Sequence, residues 1–79
     1  MIKTIHSVEY ASLLLLLRQK RLEAGITQVE LSRRLGVPHS FVGKIERGER
    51  RIDVIELQTF CRAFGTDLQT FMSELQERR

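Results

Sequence analysis

The segment from residue 27 to residue 48, TQVELSRRLGVPHSFVGKIERG, encodes two short helices joined by a tight turn. Thr27 is placed to cap the first helix, and Glu30, three residues later, completes the pattern of a capping box. We expect Gly36 to end that helix, because glycine adopts the left-handed conformation at little cost. Pro38 suits the first turn of the second helix, where a missing N–H group matters least. The segment therefore predicts a helix-turn-helix motif.

The second helix of this motif is predicted to have one apolar face and one polar, basic face. Phe41, Val42 and Ile45 fall on the apolar side at helical spacing. The opposite side carries His39, Ser40, Gly43, Lys44 and Arg47. A helix that is held down by one face and presents polar groups on the other can read the major groove of DNA.

The motif and its flanks resemble the helix-turn-helix of the XRE (Cro/CI-like) transcriptional regulators. The matching residues are Gly25-Ile26-Thr27-Gln28 before the motif, Leu31 and Gly36-Val37 within it, and Lys44-Ile45-Glu46-Arg47-Gly48 at its end. The resemblance extends from about Leu13 to Leu75, which is most of the chain. It implies a five-helix, lambda-repressor-like DNA-binding domain whose partner is double-stranded DNA.

Three further helices are predicted around the motif, so that the chain is all-α with short connections. The first helix runs from a cap at Ser7 to about Ala24, and Asp53 and Asp67 cap the fourth and fifth helices. Apolar residues at helical spacing predict the core. They are Tyr10, Leu13, Leu14, Leu17 and Ala24 on the first helix, Val29, Leu31 and Leu35 on the second, Val54, Leu57, Phe60, Cys61 and Phe64 on the fourth, and Leu68, Phe71, Met72 and Leu75 on the fifth.

The composition is that of one small, folded, basic domain. The chain has 79 residues, of which 42% are hydrophobic and 29% charged, with a net charge of +3 and a pI of about 9.6. A chain of this length buries a modest core, and its positive charge favours a polyanionic partner. We divide it into an N-terminal arm over residues 1–6, a single helix-turn-helix DNA-binding domain over residues 7–76, and a solvated tail over residues 77–79.

Catalytic, metal-binding and membrane functions find little support in the residue pattern. Two histidines and one cysteine, Cys61, lack the spacing of a zinc site, and the sequence has no glycine-rich phosphate loop. We therefore expect no enzyme activity, no metal and no cofactor. The leucine run at 13–17 is too short to span a bilayer and is followed by Arg18, Lys20 and Arg21. Without a signal-peptide pattern or an intrachain disulfide, the expected location is the cytoplasm.

Three side chains on the polar face are predicted to contact DNA bases, namely His39, Ser40 and Lys44. Lys44 suits guanine O6 and N7, whereas Ser40 can donate or accept and His39 can bond to a base or a phosphate. Gly43 brings no side chain, so the backbone there is expected to approach DNA closely, at a cost to the helix of about 1 kcal/mol relative to alanine. Gly43 and Pro38 depart from the family pattern, which usually has a polar side chain and a hydroxyl cap there.

A second set of residues is predicted to hold DNA phosphates from the rim of the groove: Thr27, Gln28, Arg47, Arg50 and Arg51. Thr27 lies at a helix N-terminus, which favours anions. By similarity to the family, Gln28 bonds to a phosphate and braces the recognition helix. The three arginines follow that helix closely enough to flank the groove.

The family resemblance also pairs two charged residues that would otherwise be interpreted as surface charges. Family members resemble one another in an arginine on the first helix that meets the glutamate of the Lys-Ile-Glu-Arg-Gly-like segment. Arg21 and Glu46 match those positions. We expect them to form a partly buried ion pair that holds the recognition helix on the first helix.

Apolar residues outside the predicted core face suggest association. Val8, Leu15 and Leu22 form a second apolar stripe on the first helix. Either the arm or the last helix covers this stripe, or the stripe contributes to a subunit interface. An operator with two-fold symmetry requires a two-fold protein, so we expect a homodimer. Because helices after the motif commonly form the interface in this family, Met72 and Leu75 are the first candidates.

Three functions are compatible with these patterns, and the motif with its flanks favours the first. It is a sequence-specific DNA-binding transcriptional regulator, a repressor or controller protein, that binds a two-fold symmetric operator as a homodimer. The second is an antitoxin-like protein-binding module with a protein partner and autoregulatory DNA binding. The third is a structural helical adaptor without affinity for DNA.

Overall fold

The computed structural model describes residues 7–78, and five helices make up most of this range. They are α1 (Val8–Glu23), α2 (Gln28–Leu35), α3 (Phe41–Glu46), α4 (Val54–Ala63) and α5 (Leu68–Glu77). The predicted arm at 1–6 and residue 79 of the predicted tail lie outside the described residues. Glu77, which was assigned to the tail, is the last residue of α5. The predicted all-α class is confirmed.

Most helix boundaries follow from local capping chemistry. The side chains of Ser7, Thr27, Asp53 and Asp67 each accept a hydrogen bond from the backbone N–H group three residues later. The capping box is complete at Asp53 and Glu56. At Thr27 only the first half is present, because the Glu30 carboxylate accepts hydrogen bonds from Arg33 and Arg34 instead.

The recognition helix α3 is shorter than the sequence predicts. It begins at Phe41, so Pro38 does not lie in its first turn. The carbonyl of Pro38 accepts a hydrogen bond from the N–H group of Phe41, which forms a turn ahead of the helix. His39 and Ser40 therefore lie on this turn, just before α3, and both are exposed.

All five helices contribute to one core of buried apolar residues. Its members are Leu16, Leu17, Ile26, Leu31, Val42, Ile45, Ile52, Leu57, Phe60, Cys61 and Phe71. The predicted core positions Ala24, Val29 and Val54 are exposed, because each lies at a helix terminus. Ile26 and Ile52 are buried although they lie in connections, where helical periodicity makes no prediction.

The packing of α1 against two partners explains why its buried face is wider than predicted. α1 packs against α3 on one side and α5 on the other, and α2 packs against α3. Leu16, which the sequence pattern does not assign to the core, is consequently buried beside Leu17. Lys20 and Glu74 join α1 to α5 through an ion pair of 2.7 Å. Among residues 7–78, no helix combines the length and the apolar character that a bilayer crossing requires.

Candidate nucleic-acid interface

The exposed side chains at the start of α3 form the polar centre of the candidate interface. His39, Ser40 and Lys44 are exposed, and their side chains make no hydrogen bond or ion pair within residues 7–78. Directly beneath them, Val42 and Ile45 are fully buried. The residues predicted to contact bases therefore lie together on one face, and that face is anchored to the core.

Two hydrogen bonds of the Ser32 side chain on α2 fix the start of α3 and the turn before it. The Ser32 hydroxyl is buried, accepts from the N–H group of Val42 at 3.3 Å and donates to the carbonyl of His39 at 3.4 Å. Sequence analysis did not assign Ser32 a role. In the sequence, Ser32 is distinguished only by its small hydroxyl group and its position next to Leu31. Many surface serines have the same features.

Beneath the polar face, Arg21 and Glu46 form a two-contact ion pair. Arg21 Nε lies 2.6 Å from Glu46 Oε2, and Arg21 Nη2 lies 3.1 Å from Glu46 Oε1. The two side chains are 7% and 4% exposed. Arg21 Nη1 also donates to the carbonyl of Ile26 at 2.7 Å, and Gln28 Nε2 donates to Glu46 Oε1 at 2.9 Å. This network joins α1, α2 and α3, and its tertiary contacts hold the charges in place.

Two side chains cover the backbone at Gly43. The residue is buried, because the side chains of Gln28 and Arg47 lie over it. A close backbone approach to DNA at Gly43 stays a prediction, and it requires these two side chains to move aside. The covering side chains belong to the first residue of α2 and to the residue that caps α3.

The three rim arginines differ in their partners. Arg47 Nε donates to Glu49 at 2.7 Å on an exposed part of the loop. Arg50 pairs with Glu56 at 3.0 Å, and its guanidinium carbon lies 4.4 Å from the centre of the Phe41 ring. Arg51 is exposed and makes no ion pair within residues 7–78. Of the three, Arg51 has the side chain most available to a phosphate, whereas Arg47 and Arg50 already have carboxylate partners.

The pKa values of the loop carboxyls reflect these pairs. The hydrogen bond from Arg47 holds the pKa of Glu49 below its usual range, and that from Arg50 does the same for Glu56. Both carboxylates are therefore charged at neutral pH. A phosphate that approaches Arg47 or Arg50 must compete with a carboxylate that is already in place.

Thr27 lies at the N-terminal end of α2, beside Gln28. Its hydroxyl oxygen accepts from the N–H group of Glu30 at 3.0 Å, so that oxygen is committed to the cap. The other N–H groups at this helix end have no acceptor within the helix. This placement agrees with an anion at the start of α2.

A groove between α1 and α5 lies in a separate part of the domain. It has a volume of about 500 Å³, and its walls are formed by Val8, Glu9, Ser12, Met72, Leu75, Gln76 and Arg78. Met72, Leu75 and Val8 were predicted interface residues and are brought together here. Leu15 and Leu22, also predicted, are exposed on α1 but do not line this groove.

The described residues offer little for catalysis or metal binding. Within 7–78, no three His, Cys, Asp or Glu side chains are grouped so that they could hold a metal ion. Burial raises the pKa of the Cys61 thiol to about 11. The thiol is therefore protonated at neutral pH and is a poor nucleophile.

Two short helices joined by a tight turn, with an exposed polar face on the second, define the helix-turn-helix class of DNA-binding domains. The sequence profile of the helix-turn-helix family matches residues 17–71. A solved structure, an XRE-family like protein from Pseudomonas syringae pv. tomato str. DC3000, is 54% identical with a TM-score of 0.86, over 96% of this chain and 93% of the other.

A curated relative points to the same family. It is described as an uncharacterized transcriptional regulator in the ATPase CF(0) region of Rhodospirillum rubrum, and it is 34% identical over 74 residues, 94% of this chain and 68% of the relative. The chain belongs to the XRE family of helix-turn-helix transcriptional regulators, and its fold is lambda-repressor-like. This is a DNA-binding, non-enzymatic class of protein.

Proposed function

We propose that this protein is a repressor or controller protein that binds a two-fold symmetric operator as a homodimer. The observation that carries the proposal is the exposed set His39, Ser40 and Lys44, whose side chains make no hydrogen bond or ion pair among the described residues. Side chains that read base edges must be unpaired and must project from an anchored helix. In this proposal Lys44 binds guanine, and Ser40 and His39 contact neighbouring bases.

Phosphate contacts position this helix in the groove. Thr27 and Gln28 lie at one end of the motif, and Arg47, Arg50 and Arg51 at the other. Contacts from both ends would fix the register of α3 on the duplex without reading sequence. Arg51 is the strongest arginine candidate, because it does not have to leave a carboxylate.

The homodimer is supported by the groove between α1 and α5. One short recognition helix reads too few bases to be selective alone. A symmetric interface uses the same patch on both subunits, and the apolar walls of this groove, with Val8 at 81% exposure, offer such a patch. Leu75 and Met72 also pack against the monomer core, so they would serve both purposes.

Binding-site selection from random duplex DNA tests the DNA-reading proposal. We expect enrichment of an inverted repeat whose half-sites lie about one helical turn, roughly 10 base pairs, apart or a multiple of that spacing. Enrichment of a single, unrepeated site would contradict the two-fold proposal. Absence of any enrichment, together with no salt-dependent binding to duplex DNA, would contradict the DNA-reading function itself.

Sedimentation equilibrium at micromolar concentration tests the homodimer. The expected species is a dimer that Val8→Glu or Leu75→Glu converts to a monomer, because a buried unpaired charge is costly. Ile55→Glu is the matched control, since Ile55 is also an exposed apolar residue but lies on α4. A monomer for the wild type, both free and on DNA, would defeat the proposal.

An antitoxin-like module is the second candidate, and the same groove favours it. A protein partner in place of a second copy would leave the free chain monomeric and its groove open. The sedimentation experiment therefore separates the two candidates before any partner is known.

A further inference from the structure

The backbone peptide group that joins Arg51 to Ile52 is held at both of its polar atoms. Its N–H group, which belongs to Ile52, donates to the hydroxyl oxygen of Tyr10 at 3.1 Å. Its carbonyl, which belongs to Arg51, accepts from Arg50 Nη1 at 2.9 Å. Tyr10 lies on α1, 42 residues away in sequence. A tertiary contact therefore fixes the connection between α3 and α4 at a point where the chain has no regular secondary structure.

The two side chains that hold this peptide group are themselves anchored. Arg50 donates to both carboxylate oxygens of Glu56 on α4, at 3.1 Å and 3.0 Å. Its guanidinium carbon also lies 4.4 Å from the centre of the Phe41 ring, which belongs to α3. Tyr10 is half-buried, and its ring packs against the core. The position of the peptide group is thus set by α1, α3 and α4 together.

Arg51 combines this fixed backbone with an uncommitted side chain. The side chain is exposed and makes no ion pair within residues 7–78. The next residue, Ile52, is only 7% exposed and so holds the chain on its core side. A charged side chain on a fixed backbone loses less conformational freedom on binding than one on a mobile loop.

We propose that Tyr10 is a positioning residue for the phosphate contact of Arg51. This inference rests on the proposed DNA-binding function. The Tyr10 hydroxyl contacts no DNA in this arrangement and acts only through the N–H group of Ile52. Without the hydroxyl, that N–H group loses its acceptor, and the backbone at Arg51 has to be ordered when DNA binds.

Fluorescence anisotropy with a mixed-sequence duplex of about 20 base pairs tests the proposal, because non-specific binding depends on phosphate contacts. Tyr10→Phe removes the hydroxyl and keeps the packed ring. We expect it to weaken binding by about twofold to fivefold in the wild-type background. In an Arg51→Ala background, titrated at low salt, the same substitution should cause no further loss.

The matched control is Thr59→Val, which removes a hydroxyl that donates to the carbonyl of Ile55 within α4. Its affinity for the duplex should equal that of the wild type. All variants are compared well below their thermal midpoints, so that a loss of stability does not change the folded fraction. Hydrogen exchange at the Ile52 amide supplies a second readout, and we expect faster exchange in Tyr10→Phe because the amide has lost its acceptor.

An equal loss of affinity for Tyr10→Phe in the wild-type and Arg51→Ala backgrounds would overturn this inference, because Tyr10 would then act without Arg51. Unchanged affinity or unchanged exchange at the Ile52 amide would also overturn it. So would wild-type affinity for Arg51→Ala, since there would be no contact to position. A wild-type protein that does not bind the duplex would instead contradict the proposed function.

Discussion

Two arginine–glutamate pairs of almost equal length are attached to adjacent residues at the end of α3. Arg21 meets Glu46 at 2.6 Å, and Arg47 meets Glu49 at 2.7 Å. The first pair is buried, with side chains 7% and 4% exposed, whereas those of the second are 55% and 54% exposed. The first joins separate helices through additional hydrogen bonds, and the second links residues two positions apart in one loop.

This difference shows that burial, rather than distance, decides how strongly each ion pair holds its two residues together. Two charges about 4 Å apart interact by about 1 kcal/mol in water and about 4 kcal/mol at an effective dielectric constant of about 20. The buried pair can therefore fix the recognition helix, while the exposed pair remains easy to exchange. The proposed function needs both, because it requires a rigid scaffold and arginines that can leave their carboxylate partners to bind phosphates.

The largest expected effect comes from removing one member of the buried pair. Glu46→Ala leaves the Arg21 charge buried without its partner, which should lower the free energy of unfolding by about 3–5 kcal/mol. Glu49→Ala is the matched control and should leave the urea midpoint nearly unchanged. Both are measured by urea unfolding at one protein concentration, since dimerisation would contribute to stability. Equal losses would remove the distinction between the pairs.

Double-mutant cycles with alanine measure the coupling within each pair directly. For Arg21 and Glu46 we expect an interaction well above the ~0.2–1 kcal/mol that is typical of exposed pairs. For Arg47 and Glu49 we expect the single mutants to be close to additive. Additivity at Arg21 and Glu46 would mean that the observed geometry contributes no coupling.

Lys44→Ala tests whether the rigid scaffold presents a base-reading side chain. If Lys44 binds a guanine edge, the substitution should weaken operator binding by about 1–3 kcal/mol and relax the preference at one base position. Lys20→Ala, which removes the same charge but from the ion pair with Glu74, is the control. Unchanged affinity and unchanged preference at every position would exclude Lys44 from base readout.

Arg51→Ala and Arg47→Ala test the exposed side of the comparison. If each arginine contacts a phosphate, its loss should reduce the slope of log K against log salt by about one unit without changing base preference. Arg62→Ala, a neutralised surface arginine on α4, should leave the slope unchanged. A slope that stays the same for Arg51→Ala would identify that residue as a solvated charge.

The smallest expected effect is a gain in DNA affinity. Glu49 competes with a phosphate for Arg47, so Glu49→Gln should tighten binding by about twofold to fivefold. Glu23→Gln removes the same charge from an exposed side chain on α1, outside the helix-turn-helix, and serves as the control. Weaker binding by Glu49→Gln would indicate that the exposed pair orients Arg47 for DNA instead of restraining it.

Local chemistry made much of this fold predictable. The caps at Ser7, Asp53 and Asp67 and the left-handed Gly36 depend only on residues within one turn of the helix, and each is present. A local prediction failed where other neighbours compete for the same group. Glu30 completes no capping box, because two nearby arginines compete for its carboxylate.

The sequence alone determined the five helices, the helix-turn-helix and the family. Periodicity and caps are properties of neighbouring residues, and the motif that identifies the family is a continuous segment. The tertiary structure decided that Ile26 and Ile52 are buried and that Gly43 is covered by Gln28 and Arg47. It also decided which arginine–glutamate pair is buried, since burial depends on how helices distant in sequence pack around a side chain and exclude water from it.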